Sequence, residues 1–589
     1  MEPVVGIDLG TTNSEIAFII NEHAEILKDN DNGIVPSCVG IDRDGKIIVG
    51  TEARNQASIA PERTILSIKR EMGTDKSFTM GDSSYKPQEI SAFILKALKS
   101  RAEKVLGMPV SKAVITVPAY FTDAQRHATR EAGEIAGLNV VRIINEPTAA
   151  ALAYESERSE TQRILIFDLG GGTFDVSIVK IEQGIVEVLA STGDNHLGGD
   201  DFDMKIVEVL AEHCEQELKI SVKDSPVIMA RLKRAAENAK IMISSQPYAV
   251  IEEDHIGKKM WKDVHLSYEL SRIDFEEMIE DDLSRTMESV NKALKDANIL
   301  PSAIDKIILV GGSTRIPKIS NMLEKKFGSL PHSEIDPDLC VALGAAIQAG
   351  REMGLDSSSI LLDITPYTFG TSAVGDLDGM PVMDKFIPMI RRNTKLPTSK
   401  TDAFYTMFDN QEAVEIDVFQ GEAPIAPDNI RIGNYKFKLT KAPAGSVILL
   451  NFDLDVNGIL KIEATEKKTG RKINAVIENA FSGFSDEELS KSQKRINDMW
   501  GDDEHPEEDA GTGLAAAKPG TSQDNTARMP QDIEDIIKQA ESMLQKASDE
   551  DKDEIINLIE DMKDAITENK LDTARELKKE LEDILFYIE

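Results

Sequence analysis

Two short stretches of this chain echo each other. Val4-Val-Gly-Ile-Asp-Leu-Gly-Thr-Thr-Asn13 and Leu165-Ile-Phe-Asp-Leu-Gly-Gly-Gly-Thr-Phe-Asp175 each carry an apolar run into an acidic, glycine-rich turn that bears threonine. Such a turn brings backbone N–H groups close to phosphate, because glycine admits close approach. Gly10, Gly170, Gly171 and Gly172 provide that approach, while Thr11, Thr12 and Thr173 offer hydroxyls. Asp8 and Asp168 stand at strand ends, where a hydrated Mg²⁺ fits between them. A single Asp-x-Gly turn is equally well a plain tight turn. Two copies with matching flanks point to a duplicated nucleotide-binding unit.

The surroundings agree with an α/β region. Up to about Gly350, runs such as Lys112–Val117, Ile164–Phe167 and Lys306–Val310 alternate with helix-length amphipathic stretches. A serine tract and apolar patch, Ser357-Ser-Ser-Ile-Leu-Leu-Asp363, then end the helical period. Beyond it Val414, Ile416 and Val418 alternate with Glu415 and Asp417, as do Phe452, Leu454 and Val456 before Asn457-Gly458, and Leu460, Ile462 and Ala464 after it. The Asn-Gly pair predicts a two-residue hairpin in which both residues take positive φ. The fold expected is therefore multidomain: a nucleotide-binding domain over 1–356, a linker over 357–363 and an antiparallel β-sandwich over 364–484. A short helix over 485–500 precedes a tether over 501–530 rich in Gly, Pro, Ser, Thr and Asp, and an α-helical end over 531–589.

Bulk properties exclude several classes. Among 589 residues, 67 Lys and Arg stand against 103 Asp and Glu, and a net charge of -36 repels nucleic acid and anionic membranes alike. Cys38, Cys214 and Cys340 form no CxxC pair, which speaks against a disulfide framework or a thiolate metal site and for a reducing compartment. The N-terminus meets Glu2 at once and lacks the basic and apolar regions of a secretory signal, and no apolar run approaches the roughly 18 residues of a membrane span, so a cytoplasmic protein is expected.

Neither the P-loop nor the dinucleotide glycine pattern occurs where strand and helix would support it, so a third phosphate-binding solution is required. Ile7-Asp-Leu-Gly-Thr-Thr-Asn-Ser14, Asn145-Glu-Pro-Thr-Ala-Ala150, Asp168-Leu-Gly-Gly-Gly-Thr-Phe-Asp175 and Gly311-Gly-Ser-Thr-Arg-Ile-Pro317 resemble, in the family's order, the signatures of the seventy-kilodalton heat-shock chaperones. The resemblance extends over nearly the whole chain. It implies an actin-like, two-lobed domain that binds ATP with Mg²⁺, and with K⁺ as an additional ion, and a β-sandwich that grips extended apolar segments of unfolded polypeptides under a helical lid.

Site residues follow by matching position. Asp8 and Asp168 hold the hydrated Mg²⁺. Lys69, Glu146, Thr173 and Asp175 form the catalytic cluster, and Gly10, Thr11, Thr12, Asn13 and Gly170 to Gly172 contact phosphate. Gly198, Gly199 and Asp200 close over the phosphates, with Asp200 where the family often carries Glu. Glu237, Lys240, Ser244, Gly311, Gly312, Ser313, Arg315 and Asp338 form the adenosine pocket. Without the resemblance, Lys69 and Glu237 read as ordinary exposed charges on helical faces.

Ala373, Val374, Phe404, Met407, Val414 and Ile416 line the peptide slot by the same resemblance, although alternation alone reads them as sheet core. Burying two or three Leu-sized side chains at about 1.5 to 3 kcal/mol each, less the ordering cost, gives affinities near micromolar. Interdomain coupling falls to Pro118, Arg126, Arg142, Asn145, Leu361, Leu362 and Asp363, of which Arg142, Asn145 and Asp363 lie where J-domain cochaperones act; a nucleotide-exchange factor is the other partner implied. The alternative for the linker is a passive joint, which its three consecutive apolar residues speak against. The chain departs from the family in the interrupted lid, in Pro443-Ala444-Gly445 where Pro-Arg-Gly is usual, and in its ending Phe586-Tyr-Ile-Glu589, which together with a short stretch after Lys69 favours a bacterial or archaeal origin. A sugar kinase or actin relative shares the phosphate turns but leaves the β region beyond Asp363 unexplained. A module that holds peptides without cycling stays open.

Overall fold

The computed structural model describes residues 2–29, 32–155, 161–259, 261–332, 335–355, 360–476 and 484–500. The expected tether, helical end and C-terminal tetrapeptide lie outside the described residues, as do positions 357–359 of the linker.

Each echoing stretch opens an antiparallel hairpin at the centre of its own sheet. In the first sheet the order runs Asn139–Asn145, Lys112–Val117, Val4–Leu9, Asn13–Ile20, His23–Ile26, with Ile34–Pro36 also on Asn13–Ile20. In the second it runs Lys306–Val310, Gln162–Leu169, Phe174–Glu182, Ile185–Asp194, Ile360–Leu362. Both sheets pair the first hairpin strand with a later parallel strand, Lys112–Val117 in one and Lys306–Val310 in the other. The echo is therefore one of topology as well as of sequence. It extends to register: Asp8 faces Glu15 and Asp168 faces Asp175, an acid seven positions further on in both cases.

Small residues bring the sheets together. The helix Cys340–Glu352 lies against the first sheet and against the helix Glu146–Glu155, and a Cβ added at Gly344 would stand 1.7 Å from the Ala149 carbonyl oxygen. Only a side-chain-free position allows helices to approach this closely. Around them Val114, Ile144, Ile166, Ile308 and Val310 bury the apolar faces of both sheets.

Residues 360–362 add as a parallel strand to the edge of the second sheet, pairing Leu361 with Val186 and Leu362 with Glu187. The β region that follows is two four-stranded antiparallel sheets, ordered Met380–Ile390, Phe369–Leu377, Ala413–Gln420, Ile430–Lys438 and Thr398–Tyr405, Val447–Leu454, Leu460–Glu466, Arg471–Val476. Their inward side chains, Phe369, Val418, Phe437, Phe452 and Ile462 among them, form one core, as period-two alternation requires. The turn at Asn457-Gly458 corrects the expected hairpin. Leu454 and Leu460 are the last ladder pair, Gly458 alone takes a positive φ of 77°, and the Asp455 carboxylate accepts the N–H groups of Asn457 and Ile459. The Asp455 N–H donates to the Ile459 carbonyl at 3.0 Å, which leaves a three-residue turn, and the Asn457 Oδ1 accepts the Ile143 N–H at 3.1 Å.

That contact is one of several joining the β region to the N-terminal lobes. Arg392 grips Asp296 with two bonds of 2.6 and 2.8 Å, Tyr367 donates to the Tyr120 carbonyl at 2.9 Å, and Gln420 Oε1 accepts the Asp123 N–H at 3.3 Å. The helix Asp486–Trp500, capped by Ser485 with Glu488, packs on the helices Pro87–Leu106 and Asp123–Ile135. Ile496 is fully buried there, Trp500 stacks on Phe93 at 6.4 Å and Ser492 donates to Glu89 at 2.8 Å. Among the described residues, no helix is long and apolar enough to cross a membrane.

Candidate functional site

The two echoing turns face each other across a cavity of about 360 Å³. Their approach is close: a Cβ at Gly171 would lie 1.9 Å from Thr12 Oγ1, so a side chain there would have to displace the opposite turn. Gly10 to Asn13 line one wall, and Gly170, Gly171 and Thr173 the other. Gly172, Gly198 and Gly199 stay behind the wall and brace it; the N–H groups of Gly199 and Asp200 donate to the carbonyls of Gly170 and Gly171 at 2.9 and 2.7 Å.

Charged side chains meet in the floor. Lys69 is 4% exposed, on a short 3₁₀ turn, and its ammonium pairs with Glu146 at the start of the Glu146–Glu155 helix. It is therefore no surface charge, and neither is Glu237, which bonds Arg54 Nη2 at 2.6 Å across the mouth of the cleft. Asp175 does not reach the cavity. Its carboxylate accepts the backbone N–H groups of Ala119 and Tyr120, both at 3.1 Å. Burial pushes the Glu146 and Asp175 carboxyls each up to about 7, and raises Asp8 and Asp168 as well, with Asp168 further burdened by Glu146, Asp175 and Asp8. A buried negative cluster of this kind is costly until a cation or a proton compensates it.

Two buried atoms have no partner in this arrangement. Thr12 Oγ1 and Asp168 Oδ2 are both shielded from solvent and make no hydrogen bond among the described residues. Buried polar groups are rarely left so unless a ligand satisfies them, and carboxylate and hydroxyl oxygens are donors suited to a hard hydrated cation and to phosphate.

The far end of the cavity mixes apolar and charged walls. Lys240, Ile241, Ser244, Gly311, Gly312, Ser313, Arg315, Ile316, Asp338 and Val341 line it. Arg315 bridges Asp336 and Asp338 at 2.7 and 2.8 Å, and Lys240 donates to Asp203 Oδ2 at 2.8 Å and to the Gly199 carbonyl at 3.0 Å. Burial raises the Asp203 carboxyl to about 6.

Sequence reasoning missed Asp203, the apolar liners Ile241, Val310, Ile316 and Val341, and Glu15. Glu15 lines the cavity at 2% exposure, and burial next to Asp8 drives its carboxyl well above the ordinary range. It was within reach, since Asp175 follows Asp168 at the same offset by which Glu15 follows Asp8. Asp203 follows Gly199 by one helical turn and carried no comparable signal.

The positions expected to couple the domains fall along one path. Arg126 is 6% exposed; it donates to the Ala119 carbonyl at 3.0 Å and to Asn145 Oδ1 at 2.7 Å. Asn145 Nδ2 donates in turn to Asp363 Oδ2 at 3.0 Å, which also accepts from Thr148 at 3.2 Å. Pro118 opens the loop that carries Ala119, its carbonyl accepting the Phe121 N–H, and Arg142 adds positive charge near Asp363. In the β region Ile416 is 6% exposed within the core, Phe404 and Val414 pack partly buried against it, Ala373 is half-buried, and Val374 and Met407 are exposed.

Two α/β lobes of like topology around a buried, charge-lined cleft, with an antiparallel β unit joined to them by a strand, define the class: a two-lobed cleft protein that carries a second, β-built unit. Comparison with known proteins makes this specific. The family model described as Hsp70 protein matches residues 4–588. A chaperone protein DnaK of Thermosipho melanesiensis is 41% identical over 590 residues, covering 99% of this chain and 95% of the relative. The chain belongs to the Hsp70 family and is an ATP-hydrolysing molecular chaperone.

Proposed function

We propose that hydrolysis in the cleft and peptide release from the β unit are linked through the Arg126–Asn145–Asp363 path. In this reading Asp8 and Asp168 hold a hydrated Mg²⁺, with K⁺ as a further ion. The orphaned Asp168 Oδ2 and the unpaired Asp8 carboxylate, which accepts only from Thr116, supply a donor set that fits such an ion. Bound Mg²⁺ would neutralise charge on the β- and γ-phosphates. Lys69 sets its ammonium at the γ-phosphate while Glu146 fixes its direction. Thr11, Thr12 and Thr173 hold phosphate oxygens or the attacking water, and Asp175, anchored by two backbone N–H groups, keeps the 118–121 loop in place. Glu237, Lys240, Ser244, Arg315 and Asp338 take the adenosine.

The observation that carries the reading is covalent adjacency. Asn145, which bonds Asp363 at 3.0 Å, directly precedes Glu146, which holds Lys69. A shift of Lys69 toward or away from a terminal phosphate thus reaches the junction of the β unit within one residue. ATP then biases the docked arrangement only by binding it better than the undocked one. Peptides lie extended in the slot of Ala373, Val374, Phe404, Met407, Val414 and Ile416, held by main-chain bonds and apolar pockets. A J-domain cochaperone acts at Arg142, Asn145 and Asp363, an exchange factor releases ADP, and three buried unpaired cysteines suit the cytoplasm.

The linker strand provides the test. Leu361 and Leu362 are half-buried against the second sheet. The double variant Leu361→Asp, Leu362→Asp is expected to keep basal ATP hydrolysis and to lose both its stimulation by peptide and the faster peptide off-rate in ATP than in ADP. Unchanged stimulation and off-rates would overturn the coupling.

A further inference from the structure

The cleft contains more acids than its visible cations can pair. Glu146 has Lys69, Asp203 has Lys240, Asp338 has Arg315, Glu237 has Arg54, and Asp200 has Lys233 and the Ser67 hydroxyl. Among the cavity-lining carboxylates this leaves Asp8, Asp168 and Glu15 without an ion-pair partner. The first two belong to the proposed Mg²⁺ site; Glu15 has no assigned work.

Its placement follows from the duplication. Glu15 stands directly across the hairpin from Asp8, as Asp175 stands across from Asp168. Residues directly opposite in an antiparallel pair project from the same face of the sheet, so Glu15 shares the cleft face with Asp8. The two counterparts then diverge. Asp175 spends its carboxylate on the N–H groups of Ala119 and Tyr120 and stays out of the cavity. Glu15 is one methylene longer, lines the cavity and makes no hydrogen bond among the described residues, with the charges of Lys69 and Arg101 acting on it from beyond ion-pair distance. Ionised, a carboxylate that is 2% exposed and unpartnered is costly; a proton, or a cation delivered with the ligand, compensates it.

We propose that Glu15 is a third carboxylate of the cation centre: it faces the cations that accompany the nucleotide phosphates and raises the dependence of nucleotide binding on them. The proposal rests on the reading that Asp8 and Asp168 hold the metal. It assigns Glu15 a positioning role toward cations and no part in bond breaking.

A charge argument gives the signature. With cations between them, Glu15 and the phosphates attract each other; without cations nothing draws them together. Removing the carboxylate therefore weakens binding with cations and changes it little without them. The experiment is calorimetric titration of ADP into full-length protein, once with Mn²⁺ and once with chelator, together with electron paramagnetic resonance of Mn²⁺ binding. In Glu15→Gln the Mn²⁺ Kd should rise while the chelator Kd stays within about twofold, so that their ratio shrinks at least about fivefold from wild type. Mn²⁺ bound in the presence of ADP should be weakened in parallel. Glu15→Met serves as the second variant should the amide perturb folding, and circular dichroism and melting compare both with wild type. A ratio within about twofold of wild type in either folded variant would overturn the role of Glu15. Absence of any Mn²⁺ enhancement in the wild type would instead remove the metal reading on which it rests, and with it the proposal.

Discussion

The cleft buries charge, whereas the rim of the β unit exposes apolar surface. Lys69, Asp168 and Asp175 are 4%, 6% and 1% exposed, while Met407, Phe408 and Met383 are 54%, 66% and 67% exposed. Each region is incomplete in the currency the other has in excess. A buried carboxylate without a counter-ion demands a ligand of definite charge and geometry, so the cleft is selective. An exposed apolar rim is stabilised by any chain that covers it, because apolar burial has no direction and methionine side chains adapt. In the proposed reading, this difference lets one molecule discriminate ATP while tolerating many peptides.

The largest effect that would break this contrast lies in the cleft. Thr173 is 7% exposed and lines the cavity. Thr173→Ala should lower single-turnover hydrolysis on the order of a hundredfold, with ATP affinity kept within about threefold, because it removes one positioned group and no charge. Hydrolysis close to wild type would show that the cleft does not depend on positioned polar groups. A smaller effect is expected at the rim. Val414→Phe adds volume beside Phe404 and the core, and should weaken fluorescent-peptide binding about tenfold while leaving basal hydrolysis unchanged. Equal loss of both would mean that the two regions are not separable.

The smallest effect concerns the junction between them. Burial raises the carboxyls of Asp123 and Asp363 above the ordinary carboxylate range. In an undocked arrangement, exposure returns them toward about 4. Protonation therefore favours docking: the contribution is complete below the ordinary value and is lost as pH rises through the raised ones. Lowering the pH from about 7 to about 5 should shift nucleotide-free protein toward the docked arrangement by less than tenfold. Fluorescence of Trp500, stacked on Phe93, reads this out in a Trp261→Phe background that removes the 99% exposed second tryptophan. Flattening of the profile in Asp123→Asn, Asp363→Asn sharpens the assignment, and a shift of opposite sign would refute it.

Much of the cleft was legible because its parts are local. A strand, an acid, glycines and threonines within ten residues announce a phosphate turn, and both turns lie where their sequences put them. The alternating runs from Val414 and Phe452 became the strands Ala413–Gln420 and Val447–Leu454, and the helix expected over 485–500 formed as Asp486–Trp500. The turn at Asn457 went astray for a physical reason: local turn chemistry favours a two-residue hairpin, but the side chain bonds Ile143, far away in the chain.

Lys69 and Glu237 show the limit most clearly. Nothing near them in sequence distinguishes them from surface charges; only Glu146 and Arg54, 77 and 183 residues away, make them part of a site. The sequence by itself determined where phosphate turns, strands and alternating faces form, because backbone conformation and side-chain periodicity are set over a few residues. Tertiary structure alone decided which charges are buried, which acids are left without partners, and which loop touches which domain. Burial and ion pairing depend on the distance between residues in space, and chain order does not encode that distance locally.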